Sequence, residues 1–178
     1  MQSEPGRNYF DLFGLPVSFD VDNAVLTERY RDLQRSVHPD KFANATDRER
    51  RLSVQQAALI NEAFQALKSP LSRARYLLGL HGLEINDESN TVMDGAFLMQ
   101  QMELRESLEE IGASRDLDAL GSFMDDVSAQ RKLLVQRLAE LFAEAGEEQL
   151  AEAHKLTLQM QFLDKLLAEA ETLEETML

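Results

Sequence analysis

Three consecutive residues in this chain of 178 could act together chemically: His38, Pro39 and Asp40. An imidazole that can donate or accept a hydrogen bond stands two residues from a carboxylate. The proline between them has no N–H and a nearly fixed φ. The arrangement suits docking better than bond-breaking, because Pro39 stiffens the backbone and projects His38 and Asp40 as a donor and an anion. On its own the tripeptide is more often an ordinary helix stop followed by an Asx turn, so its flanks must decide. The other histidines, His81 and His154, share no metal-ligand spacing with His38 or with each other and are expected at a helix end and on the surface. The carboxylate pairs Glu109-Glu110, Asp125-Asp126 and Glu147-Glu148 are adjacent in sequence, so they diverge around a helix and make poor acid–base dyads. Cysteine is absent, which excludes disulfides, thiolate catalysis and zinc or iron–sulfur sites built on Cys. There is no glycine-rich phosphate loop. No catalytic residue, metal ligand or cofactor is therefore assigned, and a hydrolase or metalloenzyme built on the three histidines lacks both spacing and nucleophile.

The elements that must position the tripeptide all read as helical, with no period-2 strand pattern. A short apolar segment, Tyr9 to Phe13, ends at Gly14 and Pro16. The next helix begins after Asp22, an acceptable N-cap. Its apolar residues Leu26, Tyr30, Leu33 and Val37 fall on one face, and it stops at His38-Pro39 because the residue before a proline disfavours the helical region. Asp40 to Thr46 reads as a loop. A third helix is expected from Asp47 to Lys68 with Ile60, Ala63, Phe64 and Leu67 as its core stripe. Ser69-Pro70 restarts the chain in a fourth helix, which carries Tyr76, Leu77, Leu78 and Leu80 and ends near His81-Gly82. A polar stretch from Glu84 to Asp94 marks the domain boundary, with Ile85, Val92 and Met93 able to dock on either side. Three longer helices follow: Gly95–Ile111 closed by Gly112, Leu117–Ala145 closed by Gly146, and Glu147–Met177. Short breaks between long amphipathic helices imply an antiparallel three-helix bundle. The expected division is 1–82, including an extension over 1–8, a connector over 83–94, and a bundle over 95–178.

Charge separates the same two halves. Through Tyr76 there are 11 Lys and Arg against 10 Asp and Glu, and beyond it 7 against 22. So acidic a second half argues against duplex nucleic acid as its main target, because phosphate binding needs clustered cations. No apolar run approaches the ~18 residues of a membrane span. No hydrophobic stretch follows the N-terminal charges, so neither membrane insertion nor a secretory signal is expected. The lack of cysteine fits a cytoplasmic protein.

The flanks resolve the tripeptide. Tyr9-Phe10-Asp11-Leu12-Phe13-Gly14, then Tyr30 and Leu33 leading to His38-Pro39-Asp40-Lys41-Phe42, then Ile60-Asn61-Glu62-Ala63-Phe64, Leu67, Ser69-Pro70, Arg73 and Tyr76 match the J-domain pattern in order and spacing. The resemblance covers residues 8–80. It implies a helical hairpin with short flanking helices that presents His38, Pro39 and Asp40 to a DnaK-type chaperone ATPase. Arg29, Arg31 and Arg35, on or beside the polar side of the second helix, would supply complementary charge. The glycine/phenylalanine linker and cysteine-rich region of general DnaJ proteins do not follow. Instead, Asp94-Gly95-Ala96-Phe97-Leu98-Met99-Gln100-Gln101-Met102-Glu103-Leu104-Arg105-Glu106 and Met160-Gln161-Phe162-Leu163-Asp164-Lys165-Leu166 make the chain similar to the HscB family, the J-type co-chaperones of iron–sulfur cluster assembly.

That resemblance implies an IscU-like scaffold protein as the second partner of an HscA-type chaperone ATPase. It carries the scaffold site onto Leu98, Met99, Met102, Glu103, Glu106 and Phe162. Met102 departs from the family's leucine, keeping apolar volume but adding flexibility. The mitochondrial relatives' N-terminal CxxC module is missing, which points to the bacterial type. Periodicity agrees in part. Phe97, Gln101, Leu104, Leu108 and Ile111 form the core stripe of the first bundle helix, so Leu98, Met99 and Met102 point away from it. In the last helix Leu156, Met160, Leu163, Leu167 and Ala170 form the stripe, with Phe162 about a third of a turn off it. A J-protein that serves another client through the same bundle is the alternative.

Overall fold

The computed structural model describes residues 7–85 and 94–178, and all its regular elements are helices. They are α1 (Tyr9–Leu12), α2 (Asn23–Ser36), α3 (Asp47–Leu67), α4 (Pro70–Leu80), α5 (Gly95–Ser114), α6 (Leu117–Glu144) and α7 (Glu147–Met177), with a 3-10 turn over Pro39–Phe42. Two compact units divide within α4, one up to Leu77 and the other from Leu78 onward. Residues 86–93 of the expected connector, with Val92 and Met93, lie outside the described residues, as do 1–6 of the N-terminal extension.

In the first unit, α2 starts where the Asp22 carboxylate accepts the N–H groups of Ala24 and Val25. It buries Leu26 and half-buries Tyr30 and Leu33, and Val37 just after its end is buried too, the stripe expected from spacing. Tyr30 stacks on Phe64 with ring centroids 4.0 Å apart, which ties α2 to α3. α3 opens with a capping box between Thr46 and Glu49. The two hydrogen bonds from Thr46 to the Glu49 carboxylate, backbone N–H first, hold its pKa below the ordinary value. Further along, α3 buries Ile60, Ala63 and Leu67.

Arg73 joins three segments of this unit from a buried position. Its Nε donates to Leu67 O at 3.0 Å, one Nη to Phe19 O at 2.7 Å, and the guanidinium lies 5.7 Å from the centre of the Phe19 ring. Arg73→Ala would remove both of these buried hydrogen bonds, to Leu67 O and Phe19 O, each loss costing about 1–3 kcal/mol. Chemical denaturation is expected to show a loss of about 3 kcal/mol, and a loss below about 1 kcal/mol would contradict this role.

The second unit contains three helices joined by two-residue connections, so α5, α6 and α7 run alternately antiparallel. Two glycines act otherwise than expected. α5 does not close at Gly112 but runs on to Ser114 and ends with Arg115 in the left-handed region at φ 52°. Gly112 is a close-packing position, since a Cβ there would stand 3.3 Å from a Leu173 methyl. Likewise Ala145, at φ 51°, takes the left-handed residue after α6, leaving Gly146 extended as the N-cap of α7. The core comprises Phe97, Leu108, Leu120, Phe123, Val127 and, from α7, Phe162, Leu163, Leu166, Ala170 and Met177. Ion pairs Arg131–Asp164, Arg137–Glu152 and Arg105–Glu169 cross between helices at its margins.

Candidate functional site

Chain geometry builds the tip of the first unit. Pro39 cannot extend α2, so His38 adopts an extended backbone (φ −61°, ψ 137°) and Pro39 becomes the first residue of a new turn. The segment expected as a plain loop is thus a 3-10 turn over its first residues. It is closed by Lys41 N–H donating to His38 O at 3.0 Å and capped by His38 itself. The His38 Nδ1 accepts the Asp40 backbone N–H at 3.3 Å. The imidazole is 59% exposed and the Asp40 side chain 92% exposed, with its Oδ2 3.5 Å from the same Nδ1. Arg31, Arg35, Val37, His38, Asp40 and Lys41 help line an open groove of about 670 Å³.

Arg29 does not belong to this strip. Its guanidinium donates to the carbonyls of Phe13 and Gly14 at 2.7 and 2.6 Å, so it fastens α2 to the end of α1. Gly14, at φ 61°, leaves room for it: a Cβ there would stand 2.9 Å from Arg29 Nη1. Arg31 and Arg35, one turn apart, both line the groove, and Arg35 also pairs with Asp32 at 3.4 Å. Lys41, directly after Asp40 in the motif, is a further cation lining the groove.

On α5 of the second unit, Phe97 and Leu108 are buried while Leu98, Met99 and Met102 are 45, 65 and 63% exposed. Glu103 and Glu106 are exposed beside them. Three large apolar side chains facing water on one helix, fringed by carboxylates, form a surface suited to a protein partner. Phe162 differs from them in being only 9% exposed. Its ring packs edge-on against Phe97, with centroids 6.0 Å apart and planes at 90°, and the Arg105 guanidinium lies 5.4 Å from the ring centre. The reason is the breadth of the apolar arc on α7. A helix packed against both others buries two adjoining stripes, so a residue a third of a turn off the first still faces protein. Leu166, fully buried, marks this second stripe, whereas the expected Leu156 and Leu167 are only half-buried. Phe162→Ala is accordingly expected to destabilise the bundle by about 3–5 kcal/mol in urea denaturation, and unchanged stability would place the ring outside the core.

Among the described residues, no group of three His, Cys, Asp or Glu is placed to hold a metal ion, and no helix is long and apolar enough to cross a membrane.

Comparison with known proteins bears on the whole chain. Residues 93–171 match the family model described as the HSCB C-terminal oligomerisation domain. The co-chaperone protein HscB homolog of Shewanella woodyi is 43% identical over 171 residues, covering 96% of this chain and 98% of that protein. The HscB homolog of Vibrio atlanticus is 47% identical over 172 residues, with 96 and 99% covered. Among solved structures, chaperone HscB from Vibrio cholerae superposes with a TM-score of 0.86 at 44% identity, covering 97% of this chain and all of that one. The crystal structure of the human co-chaperone protein HscB gives 0.87 at 33% identity, covering 95 and 83%.

Proposed function

The chain belongs to the HscB family of co-chaperones, and from that premise we propose that it is a regulator rather than an enzyme, acting in the cytoplasm during iron–sulfur cluster biogenesis. Its N-terminal unit docks on an HscA-type chaperone ATPase through His38, Pro39 and Asp40, with Arg31, Arg35 and Lys41 steering the encounter. Its α5 face, made by Leu98, Met99, Met102, Glu103 and Glu106, binds an IscU-like scaffold protein, and Phe162 supports that face from beneath. Holding both partners raises the scaffold's effective concentration at the chaperone and accelerates ATP hydrolysis there, which favours cluster release or transfer.

The observation that carries this reading is that each unit offers its own exposed docking feature, a capped donor–anion tip in one and an apolar helix face in the other. The test measures ATP turnover by the chaperone with this chain, with scaffold, and with both. Turnover with both is expected to exceed the sum of the two separate stimulations. Mere additivity would leave a J-protein serving some other client. The description of the matched family model as an oligomerisation domain favours a second reading, in which the α5 face meets another copy of the chain. Sedimentation of the isolated protein decides between them, since the scaffold reading expects the α5 face to be free until scaffold is added.

A further inference from the structure

We propose that His38 engages its partner only as a neutral imidazole donating from Nε2, a tautomer selected by the Asp40 backbone amide, and that protonating the ring turns the tip against itself. This rests on the reading of the tip as a chaperone-docking element. Pro39 has no N–H, so the first unpartnered donor of the 3-10 turn is the Asp40 amide. That amide reaches His38 Nδ1 at 3.3 Å. A nitrogen can accept an N–H only while unprotonated, which places the single proton of the neutral ring on Nε2. The hydrogen bond that caps the turn therefore also decides which face of the ring is a donor. It leaves the Asp40 carboxylate, 92% exposed, free to meet a cation.

Protonation reverses both properties. With a proton on Nδ1 the ring no longer accepts the Asp40 amide, and the nearest acceptor is Asp40 Oδ2, 3.5 Å away. The imidazolium then pairs with the carboxylate of its own motif, so the anion intended for the partner is neutralised and the turn loses its cap. Arg31 and Arg35 of α2, Asp40 and Lys41 of the turn and, from α3, Ala57 line the groove beside the ring. The docking-competent tip is thus the form with the neutral ring, and it is lost when His38 is protonated.

The experiment has two readings on the full-length chain. Ring-nitrogen NMR correlations are expected to show His38 as the Nε2–H tautomer when neutral, with the Asp40 amide resonance following the ring's titration. An Nδ1–H tautomer, or an Asp40 amide that ignores the titration, would overturn the proposal. Chaperone affinity is then measured across the His38 midpoint found by NMR, with peptide-stimulated turnover of the chaperone alone recording the chaperone's own pH profile. The apparent Kd is expected to rise about tenfold per pH unit below that midpoint, in proportion to the lost neutral fraction. A Kd that is flat through the midpoint sinks this proposal alone. Absence of chaperone binding at every pH sinks it together with the functional reading beneath it.

Discussion

His38→Gln is expected to return the chaperone's ATP turnover close to its unstimulated rate at co-chaperone concentrations near the half-maximal value of the unaltered chain, and to do so even with scaffold bound. The side chain is 59% exposed and packs into no core, so the variant folds normally and the loss belongs to docking. Glutamine can place a donor near the position of Nε2, but it removes the Nδ1 that accepts the Asp40 amide, so the turn loses its cap and the carboxylate its fixed position. Removing one hydrogen-bonded group from a desolvated polar contact costs at least about 2 kcal/mol, or roughly thirtyfold in apparent affinity. A titration of stimulation against co-chaperone concentration measures this directly. A variant whose half-maximal concentration stays within about threefold of the original would leave no role for the tip.

The second large effect is expected at α5. The double variant Leu98→Ala/Met102→Ala should weaken scaffold binding by about 30- to 150-fold in calorimetric titration, as loss of two central apolar contacts at roughly 1–1.5 kcal/mol each implies. Stimulation of the chaperone by the co-chaperone alone should be unchanged. Both side chains face water in the isolated protein, so bundle stability should move by no more than about 0.5 kcal/mol. This separates the double variant from Phe162→Ala, in which binding and folding are entangled because the ring is part of the core. Unaltered scaffold affinity in the double variant would move the binding surface off α5.

Most helix limits were legible because caps and prolines are local signals. Asp22 and Ser69-Pro70 each lie where a helix begins. The outward direction of Leu98, Met99 and Met102 was legible because α5 keeps one dominant apolar stripe. What escaped depends on partners distant in sequence. Gly112 looks like a stop until Leu173, on another helix, occupies the space its side chain would need. Arg29 looks like part of a basic strip until the carbonyls of Phe13 and Gly14 claim it. Phe162 looks displaced from the core until α7 is seen to face two neighbours at once. The capping bond from Asp40 to His38 is local, but its donor is a backbone amide that no residue pattern displays.

The proposed delivery of scaffold to chaperone by a single chain requires both sites on one molecule, and a mixing experiment decides whether they must be. Chaperone turnover is measured with scaffold held well below its own affinity for the chaperone, first with the unaltered chain and then with equal amounts of His38→Gln and Leu98→Ala/Met102→Ala. Each variant retains the site the other lacks, but neither joins both partners. The unaltered chain is expected to give turnover above the sum of the separate stimulations, and the mixture to give none of that excess. Recovery of the excess by the mixture would show that the two sites need not share a chain, and would rule out delivery by a bridging molecule.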